Sequence, residues 1–301
     1  MNRAIGIDIG ATKIAVGAVE GSGAIVARTA FPTEAAAGFD RALRRILAAI
    51  DETVSAAGWR RGELAGVGIG CAGPVNPLRG TIDNPYTLPT WDNWDIVTPL
   101  ATALGVSAFL ENDGDAALLG EAFAGAARGC ESAVMLTFGT GIGSGVLLDG
   151  RLYRGCQGEH PEMGHIPVDA DGPGCYCGRK GCLESLASGA AITAAGRVSG
   201  FDDSRDVFAA AVKGDAAARR IVDRAVRATG VAAWTILHTF MPQRIVFGGG
   251  IADEHFELFA VPFREAIAAA TMVPRPHVSV VKAQLGQDAG LVGAASRALN
   301  R

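Results

Sequence analysis

The sequence of 301 residues contains no run of about 18 consecutive apolar residues, the minimum for a membrane-spanning helix. It enters a strand pattern at once, Met1-Asn2-Arg3-Ala4-Ile5-Gly6-Ile7-Asp8, without a charged-then-apolar leader, so a cytoplasmic protein is expected. Positive charge is not in excess. With 31 acidic and 27 basic residues, no general basic surface is offered to nucleic acid or anionic lipid, and neither a nucleic-acid nor a membrane partner is expected. Pro- or Ser-rich linkers and low-complexity stretches are missing too. Six cysteines are too few and too unevenly placed for a disulfide framework. Cys71, Cys130 and Cys156 are scattered and read as small, inert thiols, whereas Cys175, Cys177 and Cys182 crowd one loop. In a cytoplasmic chain that crowding points to a metal site.

Glycine, by contrast, is abundant: 41 residues, many clustered between strand-like runs where backbones turn tightly or approach ligands. Residues 4–9, 13–19 and 24–31 read as an antiparallel start of three strands. Leu43, Ile46, Leu47, Ile50 and Val54 then fall at helical spacing. Strands follow at 64–71 and 106–110, and a helix at 116–127. The theme restarts with a strand at 133–138, a glycine-rich bend at 139–145, and a hairpin over 146–153 turning at Asp149-Gly150. A long helix over 215–241, a strand at 244–247 ending in three glycines, another helix, a strand at 277–281 and a closing helix from Asp288 complete the chain. Strand, glycine turn, strand thus occurs twice, which predicts two related α/β lobes with a cleft between them. The expected division is residues 1–113 with 288–301, and 114–287.

Three of these turns suit a nucleotide. In Asp8-Ile9-Gly10-Ala11-Thr12-Lys13, a tight turn exposes backbone N–H groups that Gly10 lets approach an anion. Thr12 adds a hydroxyl, Lys13 a charge, and Asp8 a carboxylate able to hold magnesium through water. In Gly139-Thr140-Gly141-Ile142-Gly143-Ser144-Gly145, alternate glycines between apolar strands suggest backbone wrapped around phosphate. A dinucleotide fingerprint is not implied, because that motif needs a helix directly after the glycines. In Val246-Phe247-Gly248-Gly249-Gly250, a flat ring can lie on backbone, although a helix packed closely on a strand explains the glycines equally well. The cysteine loop adds a fourth element. His165 with Cys175, Cys177 and Cys182 supplies one imidazole and three thiolates, a ligand set of structural zinc with no position left for a catalytic water. A redox thiol cluster is the competing explanation.

The order of these turns resembles the actin-like ATPase superfamily, in which nucleotide lies in an interlobe cleft. Within it the chain looks like the ROK family (repressors, open reading frames and kinases). The stretch carrying most of that resemblance is Glu162-Met163-Gly164-His165 followed by Gly172-Pro173-Gly174-Cys175-Tyr176-Cys177-Gly178-Arg179-Lys180-Gly181-Cys182-Leu183-Glu184. The resemblance implies an α/β two-lobed actin-like fold and an ATP- and Mg2+-dependent hexokinase with structural Zn2+. Asp113 of Glu111-Asn112-Asp113 would be the general base, although a strand-end Asp before a helix is more often an N-cap. The same resemblance assigns Gly73, Asn112, Glu162, His165 and Glu184 to the sugar. It assigns Asp8, Gly10, Thr12, Lys13, Thr140, Gly141, Gly143, Gly249 and Gly250 to the nucleotide. It also implies a homodimer. Departures fall near the sugar side: His160-Pro161-Glu162 looks like the family's fructokinases, while Gly6-Ile7-Asp8-Ile9-Gly10 looks like its glucokinases. Thr87-Leu88 stands where Asn-Leu is expected, and Gly10-Ala11 replaces Gly-Gly. Glucose phosphorylated at its 6-hydroxyl is the expected reaction. Fructose, mannose or an N-acetylhexosamine, polyphosphate as donor, and a non-catalytic sugar-sensing regulator are the alternatives. The family's repressors carry a helix-turn-helix ahead of the first phosphate strand, for which Asp8 leaves no room here.

Overall fold

In the computed structural model, which describes residues 2–273 and 277–299, the first sheet is built on a strict division of side-chain size. Strands β1 (Arg3–Ile9), β2 (Lys13–Glu20) and β3 (Ile25–Pro32) precede helix α1 (Phe39–Ala56) and strand β4 (Gly66–Cys71). Because strand side chains alternate between faces, Ile5, Ile7 and Ile9, Ile14 and Val16, and Val67 and Ile69 all point one way. They form one core with Ile46, Ile50 and Val54 of α1. The opposite face carries Ala4, Gly6 and Asp8 of β1, Ala15 and Gly17 of β2, and Gly66, Gly68 and Gly70 of β4.

A small hairpin sheet follows, β5 (Val75–Asn76), β6 (Thr81–Ile82) and β7 (Trp94–Asp95), then helix α2 (Val97–Leu104), strand β8 (Ala108–Asn112) and helix α3 (Asp113–Ala124). After these come β9 (Ala133–Phe138), β10 (Ile142–Leu148) and β11 (Arg151–Leu152), and helices α4 (Glu184–Ala187), α5 (Gly189–Arg197), α6 (Ser204–Val212) and α7 (Ala216–Phe240). The chain finishes with β12 (Arg244–Gly248), α8 (Gly250–Ala269), β13 (Ser279–Lys282) and α9 (Ala289–Leu299). The two large sheets have the orders β3-β2-β1-β4-β8 and β11-β10-β9-β12-β13. Numbered within each sheet, both read 3-2-1-4-5, so the duplicated theme seen in the sequence is a duplicated topology.

Two compact units result: Met1–Gly129 with Gly145–Pro161 and Gln284–Arg301, and Cys130–Ser144 with Glu162–Ala283. In the first, α9 packs on the small-residue face of β1 and β4, with α3 beside it. The fit leaves no room for a side chain. A Cβ on Gly68 would stand 1.7 Å from the Ala294 carbonyl oxygen, and one on Gly293 would stand 1.7 Å from that of Ala116. In the second unit, Phe138, Phe247, Phe259 and Phe263 form an aromatic core between β9, β12 and α8, with Phe247 edge-on to Phe138 at 5.4 Å and to Phe263 at 5.0 Å.

Some elements differ from the sequence-based expectation. Strand β10 starts at Ile142 rather than at Val146, so the glycine turn is only Gly139 to Gly141. Gly143 lies within the strand, where a Cβ would press to 2.7 Å from the Thr137 hydroxyl. Helix α3 starts at Asp113 rather than Ala116, β13 starts at Ser279 rather than His277, and helices α4 to α6 were not anticipated. Among the described residues no helix is long and apolar enough to cross a membrane.

The α9 packing makes a direct prediction. Gly293→Ala should cost about 1–3 kcal/mol in chemical denaturation, whereas Gly62→Ala, which has open space around its Cβ position, should change stability by less than about 0.5 kcal/mol.

Candidate functional site

In the first unit, Asp8 is the last residue of β1 on the small-residue face, pairing with Gly70 of β4 and Ala15 of β2. Its carboxylate lies at the start of α9, with Oδ1 3.3 Å from where a Gly290 Cβ would be. Burial pushes its pKa up to about 6, and the Asp113 carboxylate adds to that, while Lys13 and Arg28 pull the other way. Asp8 and Asp113 therefore share one electrostatic environment. The Cys71 thiol lies in it as well, raised well above its ordinary value by burial and then by Asp113 and Asp8.

The turn after Asp8 is held from outside. Gly10 N–H donates to the Lys13 carbonyl at 3.0 Å, the buried Thr33 hydroxyl donates to the Gly10 carbonyl at 2.7 Å, and Thr33 N–H donates to the Thr12 carbonyl at 3.0 Å. Ala11, Thr12 and Lys13 are exposed. Neither Gly10 nor Ala11 has a positive φ, which is why alanine is tolerated in place of a second glycine.

The strand-to-helix turn at the end of β8 separates the roles of two neighbours. Asn112 is the N-cap of α3, its side-chain oxygen accepting from Gly114 N–H at 2.7 Å. Asp113, the first helical residue, is exposed, and its Oδ1 accepts from the same N–H at 2.9 Å. The capping task weighed for Asp113 thus belongs to Asn112. Gly73 lies against this turn: a Cβ there would stand 2.4 Å from Asn112 Nδ2 and 3.7 Å from His160 Nε2. Buried Asn84 shapes the same loop, donating to the Ala72 carbonyl at 3.0 Å and to the Thr87 hydroxyl at 2.7 Å. Asn84 and Thr87 were not singled out from sequence as a pair; Asn84 also closes an Asx turn, its Oδ1 accepting from Tyr86 N–H two residues on at 3.1 Å.

In the second unit, the turn Gly139–Gly141 is fixed by neighbouring helices. Glu184, first residue of α4, accepts from Ile142 N–H at 2.7 Å, and a Cβ on Gly141 would meet the same oxygen at 2.7 Å. Gly189 and Ala190 at the start of α5 donate to the carbonyls of Gly139 and Thr140 at 2.8 and 3.1 Å. Gly249 has φ 87° and presses on Phe138 backbone, where a Cβ would lie 2.5 Å from its carbonyl oxygen; Gly250 beside it has open space. No other residue fits at 249. A cavity of about 570 Å³ opens here, walled by Gly139, Thr140, Ala190, Arg197, Phe208, Gly250, Ile251 and His255. Phe208 and His255 stack in it with centroids 4.0 Å apart. Burial lowers the pKa of His255. Apart from Gly139, Thr140 and Gly250, none of these walls was singled out in the sequence; Ala190, Arg197 and Phe208 lie on α5 and α6, which were not anticipated.

His165, Cys175, Cys177 and Cys182 converge, with their donor atoms all within 4.8 Å of one another. His165 Nδ1 is 3.4 Å from Cys175 Sγ, and Cys177 Sγ is 3.5 Å from Cys182 Sγ. A zinc tetrahedron with ordinary bond lengths has edges of about 3.6–3.8 Å, so the donor set suits such an ion with small adjustments. Turns at Gly178 (φ 90°) and Gly181 (φ 63°) bring the thiols round. Glu162 precedes the short helical turn Met163–His165 and is exposed. After burial, the Glu184 and Glu162 carboxylates raise the pKa of Tyr176, which places both acids beside the cysteine loop.

Comparison with known proteins concerns the whole chain. Residues 4–301 match the ROK family. The chain is 36% identical to a glucokinase of Thermotoga maritima, covering 98% of this chain and 96% of that protein. It is 33% identical to an N-acetylmannosamine kinase of Citrobacter koseri, covering 97% of each. Among solved structures, a ROK family glucokinase from Streptomyces griseus in complex with glucose and AMPPNP superposes with a TM-score of 0.77 at 31% identity, covering 98% of both chains. The fold is that of the ROK kinases within the actin-like ATPases, and the chain belongs to the ROK family.

Proposed function

We propose that this protein is an ATP-dependent hexokinase that phosphorylates glucose at its 6-hydroxyl, with Asp113 as general base. The observation that carries the proposal is the turn at Asn112–Asp113. Asn112 is the N-cap of α3, and Asp113 stands exposed at its first helical position, with Oδ1 accepting from Gly114 N–H. Such a carboxylate takes the sugar proton as the hydroxyl oxygen attacks the γ-phosphorus and ADP departs. Asn112, Gly73, Glu162, His165 and Glu184 bind the sugar hydroxyls, carboxylates being strong acceptors. Glu184 does this with one oxygen committed to Ile142 N–H, so the same side chain links sugar to phosphate turn.

Backbone N–H groups beyond Gly10 in the first turn, Ala11 to Lys13, and those of Thr140 to Gly141 receive the phosphates, with Gly10 closing the first turn on the Lys13 carbonyl and Gly143 supporting the second from within β10. Adenine occupies the cavity between Gly249-Gly250 and the Phe208–His255 pair, whose volume suits a purine nucleoside. Magnesium belongs with Asp8, a carboxylate held at high energy by burial and by Asp113 and therefore stabilised by a cation. When bound it supplies charge neutralisation for the transferring phosphoryl group. Structural zinc belongs with His165, Cys175, Cys177 and Cys182, where it orders a glycine-rich loop and orients the second imidazole nitrogen. The protein is proposed to work in the cytoplasm as a homodimer.

Release of ADP should be measured with MgATP over glucose, fructose, mannose, N-acetylglucosamine and N-acetylmannosamine, with polyphosphate as a second donor. Glucose is expected to give the highest kcat/KM, and Asp113→Ala to lower kcat by about 10²–10⁴-fold. Bound zinc and ATP without turnover on any sugar would sink the catalytic assignment and favour a sugar-sensing regulator.

Zinc is testable by elemental analysis. The purified protein should carry one zinc per chain. Cys177→Ser should lose it and melt at a lower temperature; equal zinc content in the variant would refute the ligand set.

Asp8 gives a pH prediction. A carboxyl whose folded pKa lies above its unfolded value contributes stability below the unfolded pKa and loses it as pH rises through about 6. Without nucleotide or divalent cation, Asp8→Asn should therefore be more stable than the parent at pH 8, by about 2–3 kcal/mol at most. The difference should close toward pH 4, and denaturation at both pH values checks it.

A further inference from the structure

Beside the proposed base lies a group of charges to which no role has so far been given. Glu111 precedes Asn112 in β8 and is 2% exposed, and Asp115, two residues after Asp113 in α3, is 0% exposed. The guanidinium of Arg154, which follows β11, bonds to both: one terminal nitrogen donates to Glu111 Oε2 and the other to Asp115 Oδ2. Arg297 of α9 pairs with the remaining oxygen of Glu111 at 2.6 Å. All four residues belong to the first unit.

This geometry has a specific consequence. Glu111 and Asp115 bracket Asn112 and Asp113, one on the strand side and one on the helix side. A single planar fork joining them fixes the distance across the turn in a way that a lysine, with one point charge, cannot. Burying two carboxylates is costly unless both are paired, so the arrangement is expensive to keep for packing alone. Burial does raise the pKa of Asp115 to about 6, against the pull of Arg154 and then His160, which shows how strongly the ion pair must compensate. His160 is thereby placed beside Asp115 on one side and Gly73 on the other.

We propose that Arg154 is a positioning residue: by clamping Glu111 and Asp115 it holds the β8–α3 turn so that Asn112 and Asp113 meet the sugar in reactive geometry. This rests on the assignment of Asp113 as base. The clamp acts on the β8–α3 turn, and none of its four residues belongs to the Gly10–Lys13 turn. Its loss should therefore slow the chemical step far more than it weakens ATP binding.

The experiment compares the parent with Arg154→Lys, Arg154→Met and the double variant Arg154→Met/Asp115→Asn. Each is followed by steady-state kinetics well below its melting temperature and by hydrogen–deuterium exchange of the segment 108–118. Arg154→Met strands Asp115 as a buried charge and is at risk of misfolding. The double variant removes that charge and leaves Glu111 paired with Arg297, so it keeps the test available. The expected result is a fall in kcat of about 10–100-fold for the double variant, since small misplacements of reacting groups cost that much. KM for ATP should stay within about twofold, segment 108–118 should exchange faster, and Arg154→Lys should recover part of the kcat. Unchanged kcat and exchange in the folded double variant would overturn the proposal. A parallel loss of kcat and ATP affinity with unchanged exchange would overturn it too, because the β8–α3 turn would then be intact and the cause would lie elsewhere. If the parent phosphorylates no sugar, the hexokinase assignment fails on that result alone. Faster exchange in the double variant would still establish the clamp, and unchanged exchange would remove it as well.

Discussion

Backbone-to-backbone contact between α9 and the glycine face of β1 and β4 sets the position of nearly everything chemical in the first unit. Gly6, Gly68 and Gly70 let the helix lie directly on the sheet, and Gly120 and Gly293 let α3 lie directly on α9. No side chain stands between these layers to absorb an error, because interiors pack at crystal-like density. The result is that Asp8 at the end of β1, Asp113 at the start of α3, and the beginning of α9 are brought together by the main chain alone. The large aliphatic residues on the opposite face supply cohesion through α1, and the small ones supply precision.

That precision matters because the site is assembled from groups in tension. Asp8 and Asp113 raise each other's energy, and Glu111 and Asp115 are buried as ions beside them. Each arrangement is tolerable only with a cation close by: arginines for Glu111 and Asp115, and for Asp8 a partial remedy from Lys13 and Arg28. A carboxylate left partly uncompensated in the free protein is one for which a divalent ion gains most on binding. The second unit solves a different problem, since its turn at Gly139–Gly141 carries no acid and is held open by hydrogen bonds from α4 and α5.

Much of this was legible in the sequence, and the reasons are local. Periodic Ile and Val at alternate positions mark β1, β2 and β4, and clustered cysteines mark the loop where three thiols and His165 converge, because those signals lie within a few residues of one another. The strand start at Ile142 was misplaced because Gly143 and Gly145 look like loop residues, whereas they are strand residues pressed by neighbours. Helices α5 and α6 were missed because Gly189 to Gly196 is nearly all small residues, which give little contrast between faces. With them went Phe208 of α6, the residue that stacks on His255 in the cavity. The Arg154 network could not be read at all: Arg154 lies some forty residues from the two carboxylates it joins, Arg297 lies far beyond, and each looks like an ordinary surface charge.

The repeated strand order has a consequence for ancestry and for charge. β1 and β9 occupy the same place in their sheets, and each leads through a turn of three residues into the next strand. Register matches Asp8 opposite Gly70 with Thr137 opposite Gly248. The two halves thus read as descendants of one ancestral unit that kept its strand order, with an acid at this position in one copy and a hydroxyl in the other. One architectural plan thus carries a turn that opens beside a buried acid in the first unit and a turn that opens beside a hydroxyl in the second.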